Sequence, residues 1–195
     1  MRRTTSVLAV ATVMAAALWA LPGAAQDAPE RWRGRIAALS GPVGGQSAYL
    51  VLQADQWTSD AIVQQLAATL MDQGEEALLK EMAALPVAGW IVIGDGLRYN
   101  MRTMRTFDLP DGSRLVRSLT DRPIQFGEIM RPTISRNYGF GLVELYLKAD
   151  GTGEGRVIPA AQIGFENGQV EVTSFGTQPF VVVQVVPEKV QGKKK

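Results

Sequence analysis

Tight-turn signatures divide the C-terminal two-thirds of this chain: Gly94-Asp95-Gly96, Pro110-Asp111-Gly112, Asp150-Gly151 and Asn167-Gly168. Glycine and asparagine tolerate positive φ, so Asn-Gly suits the type I′ turn of a hairpin. The segments between these turns are short, apolar and rich in β-branched and aromatic residues. Two strands joined by so short a connection run antiparallel, because a parallel pair needs a crossover of a dozen residues or more. Strands are expected over 32–39, 47–57, 87–93, 97–108, 113–120, 140–148, 154–165, 169–175 and 180–186. Pro159 within the seventh implies an edge position or a bulge. The last is apolar on both faces except at Gln184, so it should be central or covered.

The period changes once. Thr58-Ser59-Asp60 offers cap chemistry and an acid for a first helical turn. Ile62, Leu66 and Leu70 recur every four residues, Gly74 stops the run, and Leu78, Leu79 and Met82 mark a second helix that Pro86 ends. The expected fold is α+β and mainly β: an antiparallel β-sandwich or barrel of about nine strands with a helical hairpin inserted at about 59–85. So many twisted strands curl closed or split into two layers.

Residues 1–25 read as an export signal rather than part of that fold. Arg2 and Arg3 precede an apolar run over 7–21, and Gly23-Ala24-Ala25 supplies small residues for cleavage. The run is shorter than the roughly 20 residues of a spanning helix. The expected organisation is a signal peptide over 1–25, one domain over 26–187 and a disordered basic tail over 188–195. It implies a soluble periplasmic or extracellular protein with no transmembrane segment in the mature chain. The whole chain has 20 basic and 19 acidic residues. Without Arg2, Arg3 and the terminal Lys193, Lys194 and Lys195, 15 basic residues face 19 acidic ones. A negative, exported body argues against nucleic acid as a partner.

The chain contains no Cys and no His. That removes disulfides, thiolate nucleophiles, Ser-His-Asp triads and the imidazole and thiolate ligands of zinc or copper. No metal and no cofactor is expected. What remains is charge. Residues 55–85 hold six acids and one base, whereas residues 97–137 hold eight arginines against four acids. Arginine's planar fork suits carboxylate, sulfate or phosphate, so the second sector is a candidate anion-binding surface. The candidate ligand-binding residues are Asp121, Arg122, Glu128, Arg131 and Glu144. Asp121, Arg122 and Glu128 share one loop-like stretch, with Arg131 just beyond. Glu144 alternates with Phe140, Leu142 and Tyr146. On a core face it must pair with an arginine, and on a pocket wall it becomes a candidate acid. Trp32, Trp57 and Trp90 are expected in the core or seating the helices.

Several stretches together resemble a group of exported bacterial proteins with no assigned activity: Trp57-Thr58-Ser59-Asp60, Leu85-Pro86-Val87-Ala88-Gly89-Trp90-Ile91, Leu109-Pro110-Asp111-Gly112, Thr120-Asp121-Arg122-Pro123-Ile124 and Phe140-Gly141-Leu142-Val143-Glu144-Leu145. The segment from Asp150 to Gly155 and Gln178-Pro179 complete the pattern. The resemblance implies an exported single domain and carries over no catalytic residue. The expected function is therefore non-enzymatic binding of a small anionic ligand, as at a barrel mouth, or of an envelope partner. A structural or assembly role in the envelope and a carboxylate-dependent hydrolase are the alternatives.

Overall fold

The computed structural model describes residues 29–37, 47–124, 138–166, 169–174 and 179–190. Ten strands and two helices follow in the order β1 (Glu30–Ala37), β2 (Ser47–Ala54), α1 (Asp60–Gln73), α2 (Glu75–Ala84), β3 (Gly89–Ile93), β4 (Tyr99–Met101), β5 (Thr103–Asp108), β6 (Arg114–Thr120), β7 (Phe140–Leu147), β8 (Gly153–Glu166), β9 (Gln169–Ser174) and β10 (Phe180–Glu188). Glu188 thus belongs to β10, where it pairs with Arg31, rather than to a terminal tail. The 1–25 segment, the 167–168 turn and residues 191–195 lie outside the described residues. No helix among the described residues is long and apolar enough to cross a membrane.

Nine strands run β4-β3-β2-β1-β10-β8-β7-β6-β5, all pairs antiparallel, and β9 adds to β8. The two ends of this path are separated in the chain by a single residue, Arg102. β4 pairs with β3, β5 pairs with β6, and the Arg102 amide donates to Leu119 O at 2.8 Å. The sheet is therefore a nearly closed barrel rather than a sandwich. The single strand expected over 97–108 is divided at this bend. Met101 and Met104, three residues apart, both enter the interior, so the alternation breaks where the chain passes from one neighbour to the other.

The barrel interior is filled. Trp32, Leu50, Leu52, Ile91, Met101, Met104, Val143, Leu145 and Leu147 are each at most 1% exposed. Trp57 meets Trp32 edge-on at 6.5 Å. β10 lies between β1 and β8, as its composition requires. Val182 and Val185 point inward on either side of a bulge where Gln184 takes φ 55°. Pro159 also sits where the β7–β8 register shifts, and its carbonyl accepts from Ile124 N at 2.8 Å.

The helical hairpin packs on the barrel's outer face. Leu66, Leu70, Leu78 and Met82 meet Phe140, Leu142, Ile158, Ala161 and Ile163 in a second core, and burying such a side chain is worth about 1.5–3 kcal/mol. Polar ties fix its seat. Ser59 caps α1 by accepting from Ile62 N at 3.4 Å. Thr58 exchanges two hydrogen bonds with the Met104 backbone, each 2.9 Å. Glu75 accepts from Ile163 N at 2.9 Å. Arg102 Nη1 donates to Leu85 O at 2.8 Å, at the end of α2. Among the described residues, Asp60 alone of the six acids in this region pairs with an arginine.

Candidate functional site

Because the interior is packed, the candidate site lies on the outside. Cross-strand register places Arg105 on β5, Arg117 on β6, Glu144 on β7 and Arg156 on β8 directly opposite one another. Side chains on one face of adjacent strands at one register interact as a row. The Glu144 side chain is 1% exposed. One of its oxygens accepts from Arg117 Nε and Nη2, each at 2.7 Å. Its other oxygen accepts from Arg156 Nε at 2.5 Å and from the Tyr146 hydroxyl at 3.4 Å. Burial, and secondly the Glu144 charge, raises the Tyr146 phenol above its ordinary value.

Arg105 and Arg117 are like charges on facing residues, an arrangement that needs compensation. Asp60 supplies it to Arg105 at 2.6 Å, and Glu144 to Arg117. Both guanidinium groups also lie over the Phe107 ring, at 5.8 and 5.5 Å from its centroid. Arg105 Nη1 donates to Thr58 O at 2.9 Å, while its Nε is buried without an acceptor among the described residues. Along the row three arginines face two carboxylates, which leaves positive charge in excess.

These two arginines border a cleft of about 110 Å³ between the hairpin and the barrel. Val63, Leu66, Leu70, Leu78, Met82, Leu119 and Ile163 wall it. The walls are almost wholly apolar, so water inside gains few partners. A void of about 150 Å³ accepts benzene, so this cleft suits a somewhat smaller apolar group. The site is thus an apolar recess with guanidinium groups along one edge.

Of the five residues singled out from the sequence, the three that the structure describes, Asp121, Arg122 and Glu144, do not converge. Glu144 lies in the arginine row, buried and paired as a packed face requires. Asp121, just past the end of β6, lies four residues beyond Arg117, about 13 Å at the strand repeat. It binds Arg102 Nε at 2.9 Å and so secures the bend that closes the barrel. Arg122 lies over Tyr99 at 4.9 Å and donates to Arg98 O at 3.4 Å. Glu128 and Arg131 fall outside the described residues. Of the three carboxylates of the hydrolase reading, Asp121 and Glu144 are each held by arginine and stand in different places, and Glu128 lies outside the described residues. Trp90 corrects another expectation. Ile91 takes the interior position on β3, so Trp90 faces outward beneath Arg98 and Arg31. Arg105 and Arg117 were visible only as part of an arginine-rich run, and Arg156 was not singled out. Their signal was strand parity: with Val116 and Val143 inward, Arg117 and Glu144 must share the outer face.

Among the described residues no group of three or more acidic, His or Cys side chains could hold a metal ion. No protein-family model, no curated protein and no solved structure matches the chain.

Proposed function

We propose that this is an exported, non-enzymatic binding protein for a small amphiphilic anion. The export signal is the basis for its location in the periplasm or outside the cell. The observation that carries the ligand class is the apolar cleft edged by Arg105 and Arg117. An apolar tail of a few carbons fills the recess between Leu66, Leu70, Leu78 and Met82, while a carboxylate, sulfate or phosphate head meets the guanidinium edge. The arginines are oriented by Asp60, Thr58, Glu144 and the Phe107 ring, so little side-chain freedom is lost on binding.

The test is a titration with pentanoate and with pentanol, followed by methyl chemical shifts in NMR. Pentanoate is expected to shift the Leu66, Leu70, Leu78 and Met82 methyl signals and to bind at least tenfold more tightly than pentanol. A charge-assisted hydrogen bond is worth about 1.5–3 kcal/mol. Arg117→Gln should remove most of that preference. Equal binding of acid and alcohol, or shifts confined to other residues, would refute the reading.

A further inference from the structure

We infer that a second surface, at the barrel end formed by the β3–β4 turn, docks on an anionic lipid bilayer. Two large apolar side chains stand out in solvent there: Leu97 is 74% exposed and Tyr49 is 62% exposed. Tyr49 borders the turn that leads to Leu97, because Gly94 N in that turn donates to Tyr49 O at 2.7 Å. Arginines surround them. Arg35 lies over the Tyr49 ring at 5.6 Å, Arg98 over Trp90 at 4.0 Å and Arg122 over Tyr99 at 4.9 Å. Among the described residues no carboxylate pairs with Arg35, Arg98 or Arg122, and Asp95 is the one acid in the adjoining turn.

Arginine, tyrosine and tryptophan flanking an exposed leucine match the chemistry of a membrane interface. Aromatic rings sit at headgroup level, cationic side chains meet lipid phosphates, and an aliphatic tip enters the acyl boundary. Each basic residue near an anionic leaflet contributes about 1 kcal/mol, or about fivefold in partition. An anionic polysaccharide satisfies the arginines equally well, but it offers no apolar phase for Leu97. That difference favours the bilayer. Arg122, isolated from the cleft, finds its role here.

The chain has no cysteine, so Leu97→Cys and Asp111→Cys each give a unique attachment point for an environment-sensitive fluorophore. Asp111 lies in the β5–β6 turn, at the opposite end of the barrel. The chain without residues 1–25, the segment that export would remove, is mixed with vesicles of equimolar phosphatidylglycerol and phosphatidylcholine, or of phosphatidylcholine alone. The label at 97 should shift to the blue on anionic vesicles only, while the label at 111 stays unchanged. The shift should fade as salt rises from about 0.1 M to about 1 M, where the screening length falls from about 10 to about 3 Å. Arg35→Gln and Arg98→Gln should each weaken partition about fivefold, and Arg35→Lys and Arg98→Lys should retain it. The inference is overturned if the label at 97 responds equally to neutral vesicles. It is also overturned if vesicles bind with no change at 97, if the glutamine variants bind like the parent, or if dextran sulfate binds the parent while vesicles leave the label unmoved.

Discussion

Replacing Glu144 with glutamine tests the arginine row most directly. The substitution keeps the shape of the side chain and removes its charge. Glu144 has 1% of its side chain exposed, whereas Arg117 has 21% and Arg156 has 36%. Removing one partner of a fully buried ion pair costs about 3–5 kcal/mol. Here both arginines can turn partly toward water, which screens their loss. The new amide also presents N–H donors to a guanidinium group, and Arg117 then faces Arg105 across β5 and β6 without its counter-charge. The expected loss is about 2–3 kcal/mol. For a domain of this size each kcal/mol moves Tm by about 2–4 °C, so the midpoint should fall by about 4–12 °C. Arg156→Gln should cost only about 1 kcal/mol, because Arg117 still holds the carboxylate and Arg156 is the more exposed partner. Urea unfolding at neutral pH, followed by tryptophan fluorescence, measures both. A Glu144→Gln loss below about 0.5 kcal/mol, the scale of an ordinary surface substitution, would mean that Glu144 is hydrated in solution and that the row does not order the site.

Two further outcomes follow from packing and titration. Gly89→Ala should destabilise by about 3 kcal/mol in the same assay, because a Cβ there collides with the Gln53 carbonyl and Met104 Sδ in the closed barrel; a neutral effect would show that β3 is not seated against β2 and β5. Tyr146 should ionise above the free tyrosine value of about 10, which absorbance at 295 nm reads. Its folded value is raised, so its contribution to stability is fully present below the unfolded value and is lost as pH rises through the folded one. Tyr146→Phe should therefore flatten part of the alkaline fall in stability; an unchanged profile would show that Glu144 and burial do not act on this phenol.

The strands and helices were legible because their signals are local. Turn chemistry at Pro110-Asp111-Gly112 or Asp150-Gly151 acts over four residues, and the spacing of Ile62, Leu66 and Leu70 acts over two turns. Barrel closure was not legible, since it depends on Arg102 bridging Leu119, Asp121 and the Leu85 carbonyl. These groups lie 17 to 19 residues away, and their approach follows from sheet curvature. Glu144 was legible only as a conditional statement: buried, therefore paired. Its partners lie 27 and 12 residues distant, at Arg117 and Arg156. Their identity requires the register, and a slip of one residue would send them to the other face. The cleft was less legible still. Leu66, Leu70, Leu78 and Met82 read as core-facing residues, and nothing in their spacing tells a helix packed flush from one that leaves a recess.

A filled interior constrains how this barrel can act. Ligand-holding barrels leave a central space, whereas here Trp32, Leu50, Leu52, Ile91 and Met101 occupy it, each shielded from solvent. Admitting even a small ligand would force extra volume into this packed interior, which costs about 1–3 kcal/mol. The two proposed modes of binding therefore use the outer surface, and that surface is not uniform. The β5–β8 arc carries the hairpin, the cleft and an arginine row held in place by buried partners. The β1–β4 arc carries exposed arginines stacked on Tyr49 and Trp90. Rigid arginines beside an apolar recess favour a small ligand of fixed shape, while exposed arginines around a bare leucine favour a large, deformable surface. Because the cleft residues and the residues of the proposed lipid surface do not overlap, Arg117→Gln and Arg98→Gln should separate the two proposed binding activities.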